Sequence, residues 1–309
     1  MTEPPFRPPD PNDVDAAAVK RAFARAARTY DGAAALQREV GARMLSRLDV
    51  VRIAPQRILD LGCGTGEGTL ELAARYPAAR VVAMDLALPM AQAARERSRR
   101  GRSLYRRLVA PLLGGADGGP GFVCADAERV PFQGVSFDLA WSNLMLQWVN
   151  DLPRAFAELR RVLRAGALLT FTTFGPDTLK ELRAAFARVD GATHVSRFVD
   201  MHDIGDMLVH AGFADPVMDM EHLHVTYPTP EALLRELKAL GATNATRGRP
   251  RGLTGRTRHA RLLAELARLA RDGRIPATFE VVYGHAWKGE PKTTAEGLPI
   301  VRLERPRKA

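Results

Sequence analysis

Cysteine is scarce in this chain: Cys63 and Cys124 are the two among 309 residues. Two thiols cannot build the disulfide framework of a small secreted scaffold, and they suit a reducing compartment. Long apolar runs are missing too. No segment approaches the roughly 18 consecutive apolar residues of a membrane-spanning helix. Aromatic residues make up 6%, few for a protein that stacks nucleic-acid bases. The stretch up to Asp15 is acidic and proline-rich. It lacks the basic start and apolar core of a secretory signal, and the arginine-rich amphipathic pattern of a transit peptide. No Cys or His pair has zinc-ligand spacing, so no metal site is expected. There is no G-x-S-x-G elbow for a nucleophilic serine. These absences point to a cytoplasmic protein without membrane, metal or nucleic acid.

What is present is ordinary globular usage, 46% apolar and 26% charged. The length allows one large domain or two modest ones, at roughly 100–200 residues each. Lys and Arg number 45 against 35 Asp and Glu, a net charge of +10. A basic surface attracts acidic partners, but charge alone does not choose among them.

Residues 1–15 read as a flexible tail. From there Val19, Phe23, Ala26 and Tyr30 recur at helical spacing, with Asp15 as the N-cap. A second amphipathic helix follows, with Leu36, Val40, Met44, Leu45 and Leu48 on its inner side. Strands are expected at 57–61, 80–85, 121–126, 137–142, 167–174, 217–227 and 278–287. Helices are expected at 67–76, 89–100, 152–163, 177–189 and 201–211, with two more between 231 and 275. Alternating strands and helices imply an α/β fold, a doubly wound and mostly parallel sheet covered on both faces. The glycine-rich stretch 114–121 reads as a loop, and 289–309 as a flexible basic tail.

The sharpest local signal follows the first strand: Asp60, Gly62, Cys63, Gly64 and Gly66. Glycines there permit positive φ and close approach of a ligand to the backbone, at the strand ends where open α/β sheets bind ligands. The nicotinamide fingerprint G-x-G-x-x-G fails, because Glu67 or Thr69 would take the third glycine position. The next strand ends at Asp85, followed by Leu86. An acid at that point can accept hydrogen bonds from both ribose hydroxyls. The third strand ends at Asp126 and Ala127, the fourth at Ser142 and Asn143.

This succession of strand ends resembles the class I S-adenosyl-L-methionine methyltransferases. The resemblance implies a seven-stranded Rossmann-like sheet that binds S-adenosyl-L-methionine and releases S-adenosyl-L-homocysteine. Cofactor contacts are implied at Asp60, Gly62, Cys63, Gly64, Gly66, Asp85, Leu86, Asp126, Ala127, Ser142 and Asn143. One departure is the stretch Arg164 to Ala167, which replaces the usual proline-glycine-glycine turn.

Segments outside that site resemble a narrower family, the malonyl-acyl-carrier-protein O-methyltransferases of biotin synthesis. They carry Phe23, Tyr30, Asp31, Ala34 and Gln37, then Asn143, Gln147, Trp148 and Asp151. Phe174, Gly175, Thr178 and Glu181 follow, and then the stretch Phe198 to Gly205. Gly241 to Asn244, Gly252 to Arg256 and Pro276 to Trp287 complete the set. The likeness spans about residues 20–288 and implies one methyltransferase domain over 16–288. Its helical segments, about 16–50, 176–215 and 231–275, would form a lid on the acceptor side. It implies methyl transfer to the free carboxylate of malonyl-acyl carrier protein, giving the methyl ester used in pimeloyl and biotin synthesis by a monomeric enzyme.

Within that reading Tyr30, Gln147 and Trp148 are the candidate acceptor-side residues. His202, His285, Arg197 and Arg256 are possible partners of the malonyl carboxylate. The acidic carrier would dock on basic groups: Arg247, Arg249, Arg251, Arg256 and Arg258, or the cluster Arg95, Arg97, Arg99, Arg100, Arg102, Arg106 and Arg107. Two other functions stay open on the residues themselves. One is a methyltransferase for a small molecule such as a quinone precursor. The other is a methyltransferase-like respiratory-complex assembly factor that transfers no methyl group. Nucleic-acid methylation is disfavoured, because the segment after the fourth strand lacks the N/D-P-P-Y/F pattern.

Overall fold

A computed structural model describes residue 10 and residues 12–100, 119–250, 252 and 254–290. Helix α1 (Ala16–Ala26) is capped by Asp15, whose carboxylate accepts from the Ala18 N–H. Two helices follow, α2 (Tyr30–Ala33) and α3 (Ala35–Arg47). Alternation then begins with β1 (Arg57–Leu61), α4 (Glu67–Arg75), β2 (Arg80–Asp85) and α5 (Leu88–Arg100). Next come β3 (Gly121–Cys124), β4 (Phe137–Ser142), α6 (Leu152–Val162) and β5 (Leu163–Phe174). The remainder is α7 (Lys180–Ala187), α8 (Met201–His210), β6 (Ala214–Tyr227), α9 (Pro230–Ala239), α10 (Arg256–Ala267) and β7 (Ile275–Trp287).

The strands form one sheet in the order β3-β2-β1-β4-β5-β7-β6. Strands β1 to β5 pair in parallel, whereas β7 runs antiparallel to both β5 and β6. The order reverses between β1 and β4, which opens a crevice above their carboxyl ends. Alternating residues divide the core between two faces. Ile58, Leu139 and Leu168 meet α3 and α4 on one face through Val40, Met44 and Leu72. Leu59, Ala140, Leu169 and Phe171 meet Phe156 and Leu159 of α6 and Leu208 of α8 on the other. Phe156 and Phe171 are fully buried, with ring centroids 5.9 Å apart. Gly284 pairs with Phe171 across β5 and β7, and a Cβ there would lie 2.3 Å from the ring. Only glycine admits the aromatic side chain at that point.

Three expectations change. Residues 12–15 do not hang free: Val14 is 5% exposed, packs with Val19 and Ala245, and forms a β-bridge with Thr246. An apolar side chain with a waiting pocket outweighs the prolines before it. Tyr30 does not end the helix carrying Phe23. The Thr29 hydroxyl, shared between the carbonyls of Ala26 and Ala239, closes α1 and ties its end to α9, and α2 begins at Tyr30. Strand β5 begins at Leu163 rather than 167, with a register shift and Gly166 at φ 76° taking up the departure from the usual turn. Residues 291–309 lie outside the described residues.

Candidate active site

The loop after β1 turns through Gly62, Gly64 and Gly66 at φ 79°, 52° and 86°. A Cβ on Gly62 would lie 2.3 Å from the Met145 side chain. The Gly62 and Cys63 N–H groups donate to the Met84 carbonyl, locking the loop against β2. Asp85 completes the lock, its carboxylate accepting from the Gly64 N–H at 2.9 Å and the Ala87 N–H at 2.8 Å. Burial pushes Asp85 up to about 6 despite those two donors. Asp60 is 2% exposed and accepts from the Thr69 hydroxyl at 2.5 Å. Burial, reinforced by the charge of Asp85, pushes it up to about 7.

Helix α2 lies over this loop. Asp31 accepts from the Thr65 hydroxyl at 2.5 Å and pairs with Arg97 of α5. That clamp holds the Tyr30 ring against Gly64, where it would stand 3.8 Å from an added Cβ. Burial and the nearby Asp85 push the Tyr30 hydroxyl far above its ordinary value, so it stays a neutral phenol. Asn143, just past β4, donates to the Gln37 carbonyl and accepts from the Thr172 hydroxyl. It thereby ties α3 to β5.

These residues line a groove in two connected lobes that share Tyr30, Gly62, Gly64 and Asn143. One lobe runs past Asp85, Leu86, Met90, Ala125 and Ala127. The other runs past Asp60, Cys63, Glu67, Gly68 and Trp141, with Arg38 on its wall. Among the described residues, the carboxyl groups of Asp60, Glu67, Glu71 and Asp85 line the groove against the guanidinium of Arg38, a balance suited to a ligand carrying positive charge. The buried Trp141 Nε1–H has no protein partner, so it is free to donate to a ligand. A second cavity, mostly apolar, opens between α7, α9 and the ends of β5 and β7. It shares Trp148 with the first lobe and Gln37 with the second.

The pattern of a methyltransferase domain matches residues 59–171. The malonyl-[acyl-carrier protein] O-methyltransferase of Gallionella capsiferriformans is 52% identical over 289 residues, 94% of this chain and 96% of that protein. That of Laribacter hongkongensis is 54% identical over 276 residues, 89% and 90% of the two chains. The chain belongs to the malonyl-[acyl-carrier protein] O-methyltransferase family. Among solved structures, a methyltransferase-like protein of Bacillus halodurans shares the fold, with a TM-score of 0.55 at 16% identity, over 81% of this chain and 99% of that one.

The structure brings most of the sequence-predicted groups together. Asp60, Gly62, Cys63, Gly64, Asp85, Leu86, Ala127 and Asn143 line the groove, as does Tyr30. Three lie outside its lining. Gly66 starts α4 and backs onto Ala94. Ser142 is buried with its hydroxyl donating to the Leu61 carbonyl. Asp126 is exposed and accepts from the Glu128 N–H. Gln147 lines the apolar cavity, and its amide donates to the Leu144 carbonyl at 2.6 Å. Trp148 packs edge-on against Phe23, centroids 5.3 Å apart.

Of the carboxylate partners expected from the sequence, none lines the groove or the apolar cavity. His202 is exposed beside Asp200, and Arg197 and Arg256 are exposed. His285 lines a cavity with Arg47 and Trp287 that shares no residue with the groove. Histidine and arginine types suggested them, but the strand register carries His285 to the opposite end of β7. Of the docking arginines, Arg249 pairs with Asp15, and Arg258 with Asp190 and His194. On α5, Arg97 pairs with Asp31 and Arg100 with Glu96. Arg102, Arg106, Arg107 and Arg251 lie outside the described residues. Sequence reasoning gave no role to Arg38 or Met90, and placed Trp141 only within the fourth-strand end that faces the ligand. The polar face of α3 was the available signal for Arg38, which is exposed and donates to the Asp31 carbonyl at the rim of the lobe. Among the described residues no group of His, Cys, Asp and Glu could hold a metal ion, and no helix is long and apolar enough to cross a membrane.

Proposed function

We propose that this protein transfers the methyl group of S-adenosyl-L-methionine to the free carboxylate of malonyl-acyl carrier protein. What carries the reading is the likeness to relatives of that activity over nine-tenths of both chains. The groove fits the cofactor on its own chemistry. Asp85 stands where two ribose hydroxyls can donate to it, flanked by Leu86 and Met90 for the adenine face. The carboxyl-lined lobe suits the ammonium and sulfonium charges, and the Trp141 N–H and Arg38 suit the methionine carboxylate.

Bound S-adenosyl-L-methionine supplies an electrophilic methyl group. The chain's residues then have little acid–base work to do. A malonyl carboxylate is ionised at pH 7, so no general base is required. Trp148 walls the junction between groove and cavity, Tyr30 covers the meeting of the two groove lobes, and in this reading the two limit the access of water. A carboxylate stripped of water is the better nucleophile, and the enclosed junction aligns it with the methyl group. Among the described residues no lysine or arginine lines the cavity, so none of them pairs there with the nucleophile. Asp126, Gly66 and Ser142 support the groove's frame rather than its lining.

Helices α2, α7, α9 and α10 form the acceptor-side lid in this reading, within one domain over 16–288. The acidic carrier docks as a transient partner of a cytoplasmic monomer, on the basic groups Arg247, Arg249, Arg251, Arg256 and Arg258, of which Arg247 and Arg256 are exposed. The test is mass spectrometry of malonyl-acyl carrier protein after incubation with enzyme and cofactor. Gain of one methyl on the malonyl carrier, and none on carrier without malonyl, supports the reading. A methyl group on the uncharged carrier, or none on either, overturns it.

A further inference from the structure

We propose that the apolar cavity is the chamber of the acyl acceptor, and that the Gln37 amide receives the acceptor's carboxylate at its inner end. The assignment rests on the methyltransferase reading and adds the residue that positions its second substrate. Gln37 is the side chain common to the carboxyl-lined lobe of the groove and the cavity. Its main chain is fixed, because the carbonyl accepts from Asn143 Nδ2 at 2.9 Å and the residue sits in the first turn of α3. Its side chain is not. Oε1 is buried without a hydrogen-bond partner, and among the described residues Nε2 makes no hydrogen bond. A buried amide oxygen left unpaired is costly, and an amide at the junction of two cavities can be engaged at both ends, a ligand donor meeting Oε1 and a ligand acceptor meeting Nε2. The terminal torsion of glutamine is two-fold, so its N–H can be presented to either space.

The cavity's chemistry identifies the ligand class. Phe174, Leu182, Phe198, Leu237 and Phe279 supply an apolar wall. Its other carboxamides and its carboxylate are engaged, Asn244 with the Thr193 carbonyl, Glu236 with the Tyr227 hydroxyl and Gln147 with the Leu144 carbonyl, and the Ser196 and Thr243 hydroxyls also line it. His194 sits at the wall against Arg258 and Asp190, and burial lowers its basicity. A short acyl chain on a flexible arm, ending in one carboxylate, matches an apolar chamber with a single unengaged amide. Neutral N–H donors orient a carboxylate while leaving its charge available for attack on the methyl carbon. A lysine or arginine there would hold it too tightly.

The experiment is steady-state kinetics on malonyl-acyl carrier protein, with S-adenosyl-L-homocysteine affinity by calorimetry, for wild type, Gln37→Ala and Gln37→Glu. Alanine favours the helix and no internal bond is lost, so α3 persists. Gln37→Ala is expected to keep its affinity for S-adenosyl-L-homocysteine within a few-fold, so that a larger change in KM belongs to the acceptor, and the affinity of Gln37→Glu is measured at each pH so that its share is separated from the acceptor's. KM for the malonyl carrier should rise roughly ten- to hundredfold in Gln37→Ala, the loss of a hydrogen bond to a charged group. Gln37→Glu should be weaker still at pH 8 and regain activity toward pH 5 as its carboxyl protonates. Wild type shares Asp60, Glu67, Glu71, Arg38, His194 and Glu236 around this position, so the difference in pH profile belongs to the new acid. Unchanged KM and pH profile in both variants, with wild type forming ester, overturns the assignment and leaves the methyltransferase reading standing. Absence of ester with wild type overturns both.

Discussion

With Asp85 as the proposed acceptor of the ribose hydroxyls, cofactor binding depends on pH in a direction set by the burial of its carboxyl. In the ligand-free protein burial holds its carboxyl at about 6. Ribose hydroxyls donate to the charged form and bring the value down. Below pH 6 the free protein must therefore lose a proton to bind. At pH 5 roughly one carboxyl in ten is ionised, so affinity for S-adenosyl-L-homocysteine falls about tenfold from its value at pH 8, or ~1.4 kcal/mol. Asp60, held at about 7 by burial, adds to the fall where the ligand's ammonium favours its charged form. Calorimetry at pH 5, 6, 7 and 8, in two buffers of different ionisation enthalpy, reads both affinity and protons released. Binding at pH 6 should release about half a proton from Asp85 alone. Asp85→Asn should bind weakly, with a pH dependence that has lost the Asp85 share. A flat affinity from pH 8 to 5 with no proton release would refute the reasoning.

Other outcomes follow from the same structure. Asp60→Asn should stabilise the ligand-free protein at pH 8. A carboxyl raised from 3.8 to about 7 contributes stability that is full below its unfolded value and lost as pH rises through the folded one. The gain is at most ~4 kcal/mol; thermal melts at pH 8 and pH 4 should show it at the first and not the second. Thr178→Val should cost about 1–3 kcal/mol by denaturant melt, because the buried Thr178 hydroxyl both accepts from the Glu280 N–H and donates to its carbonyl. Reversing the exposed Arg247 and Arg256 to glutamate should raise KM for the malonyl carrier, most strongly at low salt. Malonyl-coenzyme A, which lacks the acidic protein, should be affected far less.

The parallel half of the sheet was legible because each strand is short, apolar and followed by a helix of 3.6-residue periodicity. The glycine loop and Asp85 were legible for a related reason: a positive-φ turn and an acid at a strand end are local requirements that the residue types declare. The antiparallel course of β7 was not legible. Its partner β6 lies across two intervening helices, and alternation in either strand is the same for both directions. Val14 was hidden because its pocket is made by Ala245 and Val19, one of them more than 200 residues away. The break before Tyr30 depends on the carbonyl of Ala239, equally remote. Gln37 illustrates the limit best. Its residue type and helical position were visible, but the cavity it faces is assembled from β5, α7, α9 and β7, and no local pattern encodes that meeting.

The most direct test of the central claim follows methyl-labelled S-adenosyl-L-methionine with malonyl-acyl carrier protein, malonyl-coenzyme A and uncharged carrier as parallel acceptors. The account predicts label on the malonyl carrier as an ester that mild base releases as methanol, and no label on the uncharged carrier. A protein that binds S-adenosyl-L-homocysteine yet leaves every malonyl thioester unlabelled would contradict it.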